Sequence, residues 1–220
     1  MRADERIACS VASTKAVFLD ALGTLVELEP PWVRLRAALG DSIPEQRVIA
    51  AVRAEMSYYK AHSHEGRDPQ SLAELRESCA AVLSGELGVE VSVQTLMDSI
   101  RFGAYPDAVP ALQGLRSRGL KLVCVSNWDC SLTRVLERCG LDGHLDGVVS
   151  SAVAGARKPD PAIFAPALEL AGCGAEEALH VGDTPEEDLD AARAAGIPAL
   201  LLDRDGGGDI ASLEEVAGRL

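Results

Sequence analysis

The chain has 220 residues, of which 47% are hydrophobic and 25% charged, and its formal net charge is -13. This composition is ordinary for a soluble globular protein, and the length allows one sizeable core or a core with a small insert. The negative balance argues against nucleic acid or an anionic membrane as a partner, because both would repel the chain. We find no apolar stretch that approaches the roughly 18 residues of a membrane span and no signal-peptide pattern, and we therefore expect a cytoplasmic protein.

The first predicted element is a buried strand over residues 15–21 (KAVFLDA), which Gly23 and Thr24 interrupt. No strand candidate of weight follows it up to residue 105. Helical spacing of apolar residues instead predicts four helices, over residues 31–39, 45–62, 71–87 and 92–102. We interpret residues 28–105 as a helical domain inserted after the first strand.

From Pro106 onward the pattern alternates between helix and strand. It predicts strands over residues 120–125, 147–151, 178–181 and 197–202, and helices over 107–118, 131–139, 161–171, 186–195 and 212–217. Such alternation indicates a parallel sheet with right-handed crossovers and helices on both faces. The predicted fold class is therefore α/β, with a Rossmann-like three-layer core formed by residues 1–27 and 106–220.

Polar residues follow several of the predicted strands. Asp20 ends the first strand, Ser126 and Asn127 follow the second, and Asp183 follows the fourth, while Lys158 lies in the loop after the third. Ligands of an open parallel sheet bind at the carboxyl ends of its strands. Two carboxylates, a hydroxyl and a lysine at one edge form the set needed to handle a phosphate.

Four segments carry a resemblance to a known family. Residues 20–25 (DALGTL), 125–127 (VSN), 158–161 (KPDP) and 181–188 (VGDTPEED) resemble, in order, the four motifs of haloacid dehalogenase-like hydrolases. The resemblance covers nearly the whole predicted core. It implies a sheet with strand order 5-4-1-2-3 and a helical cap of the first type, and it implies hydrolysis of a small phosphorylated molecule.

The resemblance also implies catalytic roles for five residues. Asp20 would attack phosphorus and form an aspartyl-phosphate. Thr24 and Ser126 would hold the phosphoryl oxygens, with Asn127 supporting them. Lys158 would neutralise charge on the nucleophile and on the phosphoryl group.

A magnesium site is implied in the same way. Asp20, Asp183 and the backbone carbonyl of Leu22 would bind Mg²⁺, since this ion prefers oxygen ligands. Asp188 would support the metal, either as a direct ligand or through its neighbours.

Leu22 departs from the family pattern, because phosphatases of the family usually carry a second Asp at this position. Leucine cannot transfer a proton, and general acid–base catalysis contributes about 10²–10⁴-fold. Three interpretations stay open: a phosphatase restricted to good leaving groups, a 2-haloacid dehalogenase whose halide leaves without a proton, or a binding protein with little turnover. Asp183 and Asp188 argue against the dehalogenase, because without a metal the carboxylates of Asp20 and Asp183 would repel each other.

The predicted second helix of the insert carries a polar stripe. Glu55, Tyr58, Tyr59 and His62 recur at helical spacing on one face. One interpretation is a core-facing stripe with polar ends, and the other is that Glu55, Tyr59 and His62 face the substrate, with His62 as a substitute acid. The oligomeric state, monomer or homodimer, is left open by the sequence.

Overall fold

The computed structural model describes residues 13–40 and 42–220. Residues 1–12, which belong to the predicted core segment 1–27, lie outside the described residues, as does Asp41 in the predicted insert. Among the described helices, none combines the length and apolar character needed to cross a membrane.

The described residues form seven strands in two sheets. The strands are β1 (Ala16–Leu19), β2 (Val26–Leu28), β3 (Phe102–Ala104), β4 (Lys121–Ser126), β5 (Gly147–Ser150), β6 (Ala178–Gly182) and β7 (Ala199–Leu201). The larger sheet has the order β5-β4-β1-β6-β7, and all its neighbouring pairs are parallel. Counted within this sheet alone, that order is 5-4-1-2-3 from the β7 edge, which confirms the predicted topology.

Side chains of β1 alternate between the two faces of the sheet. Val17 and Leu19 belong to one apolar cluster, together with Leu112 of the helix that precedes β4. Ala16 and Phe18 belong to a second cluster on the opposite face. Because successive strand residues point to opposite faces, a fully buried strand requires cover on both sides. The three-layer arrangement predicted from the sequence follows.

Nine α-helices are present in the described residues. They are α1 (Pro31–Leu39), α2 (Glu45–His62), α3 (Pro69–Leu87), α4 (Val93–Ser99), α5 (Ala108–Ser117), α6 (Leu132–Arg138), α7 (Ser151–Ala154), α8 (Phe164–Ala171) and α9 (Asp190–Ala194). Helices α1–α4, which we call the helical insert, pack around their own apolar cluster, which includes Leu35, Val48, Leu75 and Leu83. Helix α3 begins two residues before its predicted start, because the Asp68 side chain accepts hydrogen bonds from the backbone N–H groups of Gln70 and Ser71.

The base of the helical insert is an antiparallel ribbon that sequence analysis did not anticipate. Strand β2 pairs with β3, with Val26 opposite Ala104 and Leu28 opposite Phe102. The prediction of a helix up to residue 102 was therefore wrong, since α4 ends at Ser99. Strands of three residues carry no measurable alternation, and this pairing joins segments more than 70 residues apart.

Two predicted helices of the core begin in another helical form. The segment predicted as a helix over 186–195 starts as a π-helical turn, Pro185–Leu189, and continues as α9. A 3₁₀ turn, Pro161–Ile163, precedes α8, and the final predicted helix is a 3₁₀ segment, Leu213–Gly218. The π turn contains Asp188, one of the predicted metal-site carboxylates, and such turns are frequent at functional sites.

Candidate active site

Lys158 connects two of the carboxylates that the sequence analysis selected. Its Nζ donates to Asp20 Oδ1 at 2.6 Å, to the backbone oxygen of Val125 at 3.1 Å and, in a short hydrogen bond, to Asp188 Oδ1. The Lys158 side chain is only 1% exposed. Although burial opposes the charged form, the carboxylates of Asp20 and Asp188 raise the pKa of Lys158 above its ordinary value. A permanent cation therefore lies against the predicted nucleophile.

Asp188 is held by three donors. Its Oδ1 accepts from Lys158 and, at 3.0 Å, from Nε2 of His180, while its Oδ2 accepts from the backbone N–H of Thr184 at 2.9 Å. Burial alone would raise its pKa, but the charge of Lys158 and the bond from His180 lower it below the ordinary value. Asp188 is thus an ionised carboxylate whose hydrogen bonds orient Lys158.

His180 lies inside strand β6 and is fully buried. Burial lowers its pKa, so the neutral ring donates from Nε2 to Asp188. Sequence analysis did not connect this residue to the site, because nothing local distinguishes a core histidine from one that faces a carboxylate.

Asp183 completes an acidic cluster with Asp20 and Asp188. One oxygen from each of the three carboxylates lies within 4.8 Å of the other two. Burial and, after it, the charges of Asp20 and Asp188 together raise the pKa of Asp183 to about 7. Burial likewise raises the pKa of Asp20, against the opposing effect of Lys158. Three acids facing one lysine leave negative charge uncompensated, and a divalent cation with oxygen ligands would compensate it.

Two glycines allow these carboxylates to approach the chain. A Cβ atom on Gly23 would lie 2.3 Å from Asp183 Oδ2, and Gly23 has a φ of +88°. A Cβ atom on Gly182 would lie 2.1 Å from Asp188 Cγ. Both positions therefore require glycine for the acids to lie where they do.

The turn after Asp20 contains the buried hydroxyl of Thr24. Thr24 is fully buried, and its Oγ1 bonds to no group among residues 13–40 and 42–220. Ser126 ends β4 and is buried, and its hydroxyl lowers the pKa of Asp20. An unpaired buried hydroxyl is costly unless a ligand satisfies it, which fits the phosphoryl-binding role predicted for Thr24.

Asn127 acts on Lys158 rather than on the hydroxyls. Its Nδ2 donates to the backbone oxygen of Lys158 at 2.9 Å, and its Oδ1 accepts from the Lys158 N–H at 2.8 Å. The same Nδ2 lies 3.1 Å from Glu187 Oε2. The amide therefore fixes the backbone that carries the lysine, whereas the sequence analysis assigned it to support Thr24 and Ser126.

The residue of the predicted polar stripe that contacts the core most clearly is Tyr59. Its hydroxyl donates to Asp129 Oδ2 at 2.8 Å, joining α2 to the loop after β4. Nearby, Arg157 donates to the backbone oxygens of Lys60 and Ala61, each at 3.2 Å. This part of the helical insert is thus attached to the segment that leads into Lys158.

Glu55 and His62 have different surroundings from Tyr59. Glu55 is buried, and burial raises its pKa. His62 stacks on Tyr58 with ring centroids 4.2 Å apart and pairs with Glu65 at 2.8 Å. Within the described part of the chain, the structure records no hydrogen bond or ion pair from either residue to the acidic cluster.

Leu22 lies in the turn between Asp20 and β2. It forms an isolated bridge with Val26, and its side chain packs against the core cluster. The side chain is apolar, so the position offers only backbone groups to a ligand.

A cavity of about 350 Å³ lies beside the acidic cluster, lined by Gly23, Tyr105, Asp183, Pro185, Leu201, Leu202, Asp203 and Arg204. Arg204 was missed by the sequence analysis. The rule that selected Asp20, namely that a polar residue follows a buried strand, would have pointed to the polar pair Asp203 and Arg204 after β7 had it been applied to that strand.

Comparison with known proteins places the chain in a family. A family model described as haloacid dehalogenase-like hydrolase matches residues 14–196. Haloacid dehalogenase-like hydrolase domain-containing protein 3 of Bos taurus is 45% identical over 95 residues, which are 43% of this chain and 38% of that protein. Phosphoserine phosphatase of Thermus thermophilus is 41% identical over 105 residues, 47% of this chain and 42% of that protein. The chain thus matches less than half the length of these two relatives.

A solved structure extends the comparison to the fold. An L-2-haloacid dehalogenase of Xanthobacter autotrophicus has a TM-score of 0.69 and 23% identity, and the match covers 93% of this chain and 97% of that one. At this identity the likeness shows a shared fold. Because the family match spans residues 14–196 of 220, well over half of the chain, the protein belongs to the haloacid dehalogenase-like hydrolases.

Proposed function

We propose that this hydrolase is a Mg²⁺-dependent phosphatase that forms an aspartyl-phosphate on Asp20 and acts on a small phosphorylated metabolite with a good leaving group. The observation that carries the proposal is the cluster of Asp20, Asp183 and Asp188 around Lys158, with oxygens within 4.8 Å of one another. We further propose that it acts in the cytoplasm, as a monomer or homodimer, without nucleic acid or membrane partners.

The reaction would proceed in two steps at Asp20. In the first, a carboxylate oxygen of Asp20 forms a bond to phosphorus while the ester P–O bond breaks and the leaving oxygen takes the electron pair. In the second, water attacks phosphorus, the Asp20–phosphorus bond breaks, and phosphate and a proton are released. Lys158, at 2.6 Å from Asp20 Oδ1, would stabilise the negative charge that gathers on the phosphoryl oxygens.

The metal would be held by Asp20, Asp183 and the backbone carbonyl of Leu22, with Asp188 acting through Lys158. When bound, Mg²⁺ supplies positive charge that offsets the charge of the acids and of the phosphoryl group. Thr24 Oγ1, which has no partner within the described residues, would bind a phosphoryl oxygen.

Leu22 limits the substrates in this proposal. Its side chain can neither protonate a leaving alkoxide nor activate water. Acyl and aryl phosphates, whose leaving groups need little protonation, should therefore react best. The phosphatase name of the Thermus thermophilus relative supports a phosphorylated substrate in general.

Halide displacement is the second candidate, and Leu22 is the observation that favours it, because a halide leaves without a proton. Asp183 argues against it. Burial and then the negative charge of Asp20 raise the pKa of Asp183, and a reaction that uses no cation would leave these two carboxylates close together without compensation.

The test is turnover of p-nitrophenyl phosphate, acetyl phosphate and 2-chloropropionate, each measured with Mg²⁺ and with EDTA. We expect hydrolysis of the phosphates only with Mg²⁺ and none of 2-chloropropionate. Asp183→Asn should remove the response to Mg²⁺, whereas Asp190→Asn, at an exposed position of α9, should keep it. Chloride release in EDTA would instead establish the dehalogenase.

Leu22→Asp tests the missing proton donor. It should raise turnover of alkyl phosphates, by up to about 10²-fold, more than that of aryl phosphates. Leu22→Asn is the matched control, because it has the same shape without a transferable proton. Equal gains for both substrate classes would show that protonation of the leaving group does not limit the rate.

A further inference from the structure

We propose that Arg204 is a positioning residue that fixes the turn after Asp20 against the acidic cluster. Its effect on the turn stands by itself, while its effect on turnover rests on the proposed function. The residue follows β7 and lines the cavity beside Asp183.

The guanidinium of Arg204 contacts the turn directly. One terminal nitrogen (Nη2) donates to the backbone oxygen of Thr24 at 2.8 Å, and Nε lies 3.4 Å from the oxygen of Gly23. Thr24 carries the buried hydroxyl that has no partner within the described residues, and the α-carbon of Gly23 faces Asp183. Arg204 thus hydrogen-bonds the backbone at the residue that carries this hydroxyl and at the residue that packs most closely against Asp183.

Arg204 is itself fixed by two other groups. Its other terminal nitrogen (Nη1) donates to Asp107 Oδ2 at 2.9 Å, and its guanidinium carbon lies 3.6 Å from the centre of the Tyr105 ring. Asp107 Oδ2 also accepts from the Ser212 hydroxyl and the Leu213 N–H, each at 2.9 Å. Because burial would raise the pKa of Asp107 but the bond from Arg204 and the other donors lower it, this acid remains an ionised anchor.

The anchor lies where the chain returns from the helical insert to the core. Tyr105 follows β3, and its N–H donates to the backbone oxygen of Leu25 at 3.1 Å. Arg204 therefore ties three segments together: the turn after β1, the return segment at 105–107, and the end of β7. A planar guanidinium with donors in a fixed fork can hold all three at set distances, which a lysine cannot.

Small displacements of this turn should be costly. A Cβ on Gly23 would already overlap Asp183 Oδ2 at 2.3 Å, so the turn has almost no room to move toward the cluster. Misplacement of reacting groups by about 1 Å can reduce rates by about 10²-fold. We infer that Arg204 sets the position of Thr24 and of the Leu22 carbonyl relative to Asp183.

The experiment compares Arg204→Ala with Arg116→Ala by hydrogen–deuterium exchange of the peptide covering residues 20–28. Arg116 is a matched control, because it also donates to a backbone oxygen, that of His144 at 3.1 Å, and pairs with an acid, Asp146, away from the site. Loss of Arg204 should speed exchange in residues 20–28 by about tenfold, whereas loss of Arg116 should leave it unchanged. Equal exchange in both variants would overturn the proposal.

Turnover of p-nitrophenyl phosphate provides the second readout. With Mg²⁺, Arg204→Ala should lower kcat by about tenfold or more while KM stays within about twofold, because the residue touches the turn and not the substrate. Guanidinium at millimolar concentration should restore part of kcat, since the Arg204 side chain is 27% exposed, and neutral urea of the same shape should not. Rescue by both compounds or by neither, with exchange unchanged, counts against the proposal.

Failure of the positioning role can be distinguished from failure of the proposed function. If the wild-type protein hydrolyses no phosphate but Arg204→Ala still speeds exchange in residues 20–28, the proposed function is contradicted and the positioning role is supported. If Arg204→Ala does not fold, the same exchange comparison is made between Arg204→Lys and Arg116→Lys, which keep the charge and lose the fork, and the same results decide.

Discussion

Similar residue types have different surroundings in two regions of the molecule. One is the sheet edge with Asp20, Lys158 and Asp188, which we call the candidate catalytic edge, and the other is the polar stripe of the helical insert. At the edge, Lys158, Asp188 and His180 are all buried, and Lys158 and His180 both donate to Asp188 Oδ1. On α2, Glu55 is buried and His62 lies near the surface beside Glu65. Among residues 13–40 and 42–220, Tyr59 is the one member of the stripe with a hydrogen bond to the core.

The two regions therefore differ in how firmly they fix the positions of their side chains. Charges that orient one another in a dry environment hold fixed geometry, as a covalent reaction requires. The hydrogen bond from Tyr59 to Asp129 crosses the contact between the helical insert and the core, which we call the seam. A single bond of this kind can open and close, as a region that admits substrate requires. We therefore expect losses of turnover at the edge and changes of affinity at the seam.

The largest effect should come from Asp20→Asn. The amide cannot attack phosphorus, and we expect turnover of p-nitrophenyl phosphate to fall on the order of 10⁴-fold. Thermal unfolding followed by circular dichroism should show that the variant is folded. Activity within tenfold of the wild type would mean that another group is the nucleophile.

Lys158→Met should reduce the stability of the protein more than the loss of a lysine from an exposed ion pair does. Removing the cation leaves buried carboxylates without a partner, and we expect a loss of about 3–5 kcal/mol in the free energy of unfolding. Lys121→Met, which breaks an exposed pair with Asp146, should cost about 1 kcal/mol or less. Urea unfolding in EDTA measures both, and equal losses would remove the distinction between buried and exposed pairs.

Gly182→Ala tests how closely the acids are packed. Its Cβ would overlap Asp188 Cγ at 2.1 Å, and we expect a loss of about 1–3 kcal/mol together with reduced turnover. Gly114→Ala, inside α5 with nothing within 4 Å, should instead gain about 0.5–1 kcal/mol. Unchanged stability and activity of the first variant would show that the cluster tolerates movement.

The smallest effect should come from Tyr59→Phe at the seam. Loss of the hydrogen bond to Asp129 should cost about 1 kcal/mol and raise KM by a factor of about three, with kcat unchanged. Tyr58→Phe, the neighbouring position whose ring stacks on His62, is the control. A fall in kcat instead would show that Tyr59 acts in turnover, as the residues of the candidate catalytic edge do, and would contradict the expected difference between the two regions.

Sequence analysis anticipated the fold more completely than the contacts within the site. Apolar runs such as AVFL in β1 and the helical spacing in α2 are local signals, and both elements were found within a few residues of their ends. The β2–β3 ribbon was missed because it depends on pairing between distant short segments. The role of Asn127 was assigned from the resemblance, and its bonds to the Lys158 backbone, 31 residues away, required the structure.

By itself the sequence determined which residues end the parallel strands. Apolar runs form the buried strands, and the polar residues that interrupt each run can be read from the local sequence. It thereby placed Asp20, Ser126 and Asp183 at one edge of the sheet. The tertiary structure decided how these groups pair: Lys158 reaches Asp20 across 138 residues, and Asp188 enters the cluster through a π turn that no sequence pattern predicted. Hydrogen bonds and charge pairs depend on distances of a few tenths of an ångström, and such distances are set only when all the strands and helices are packed together.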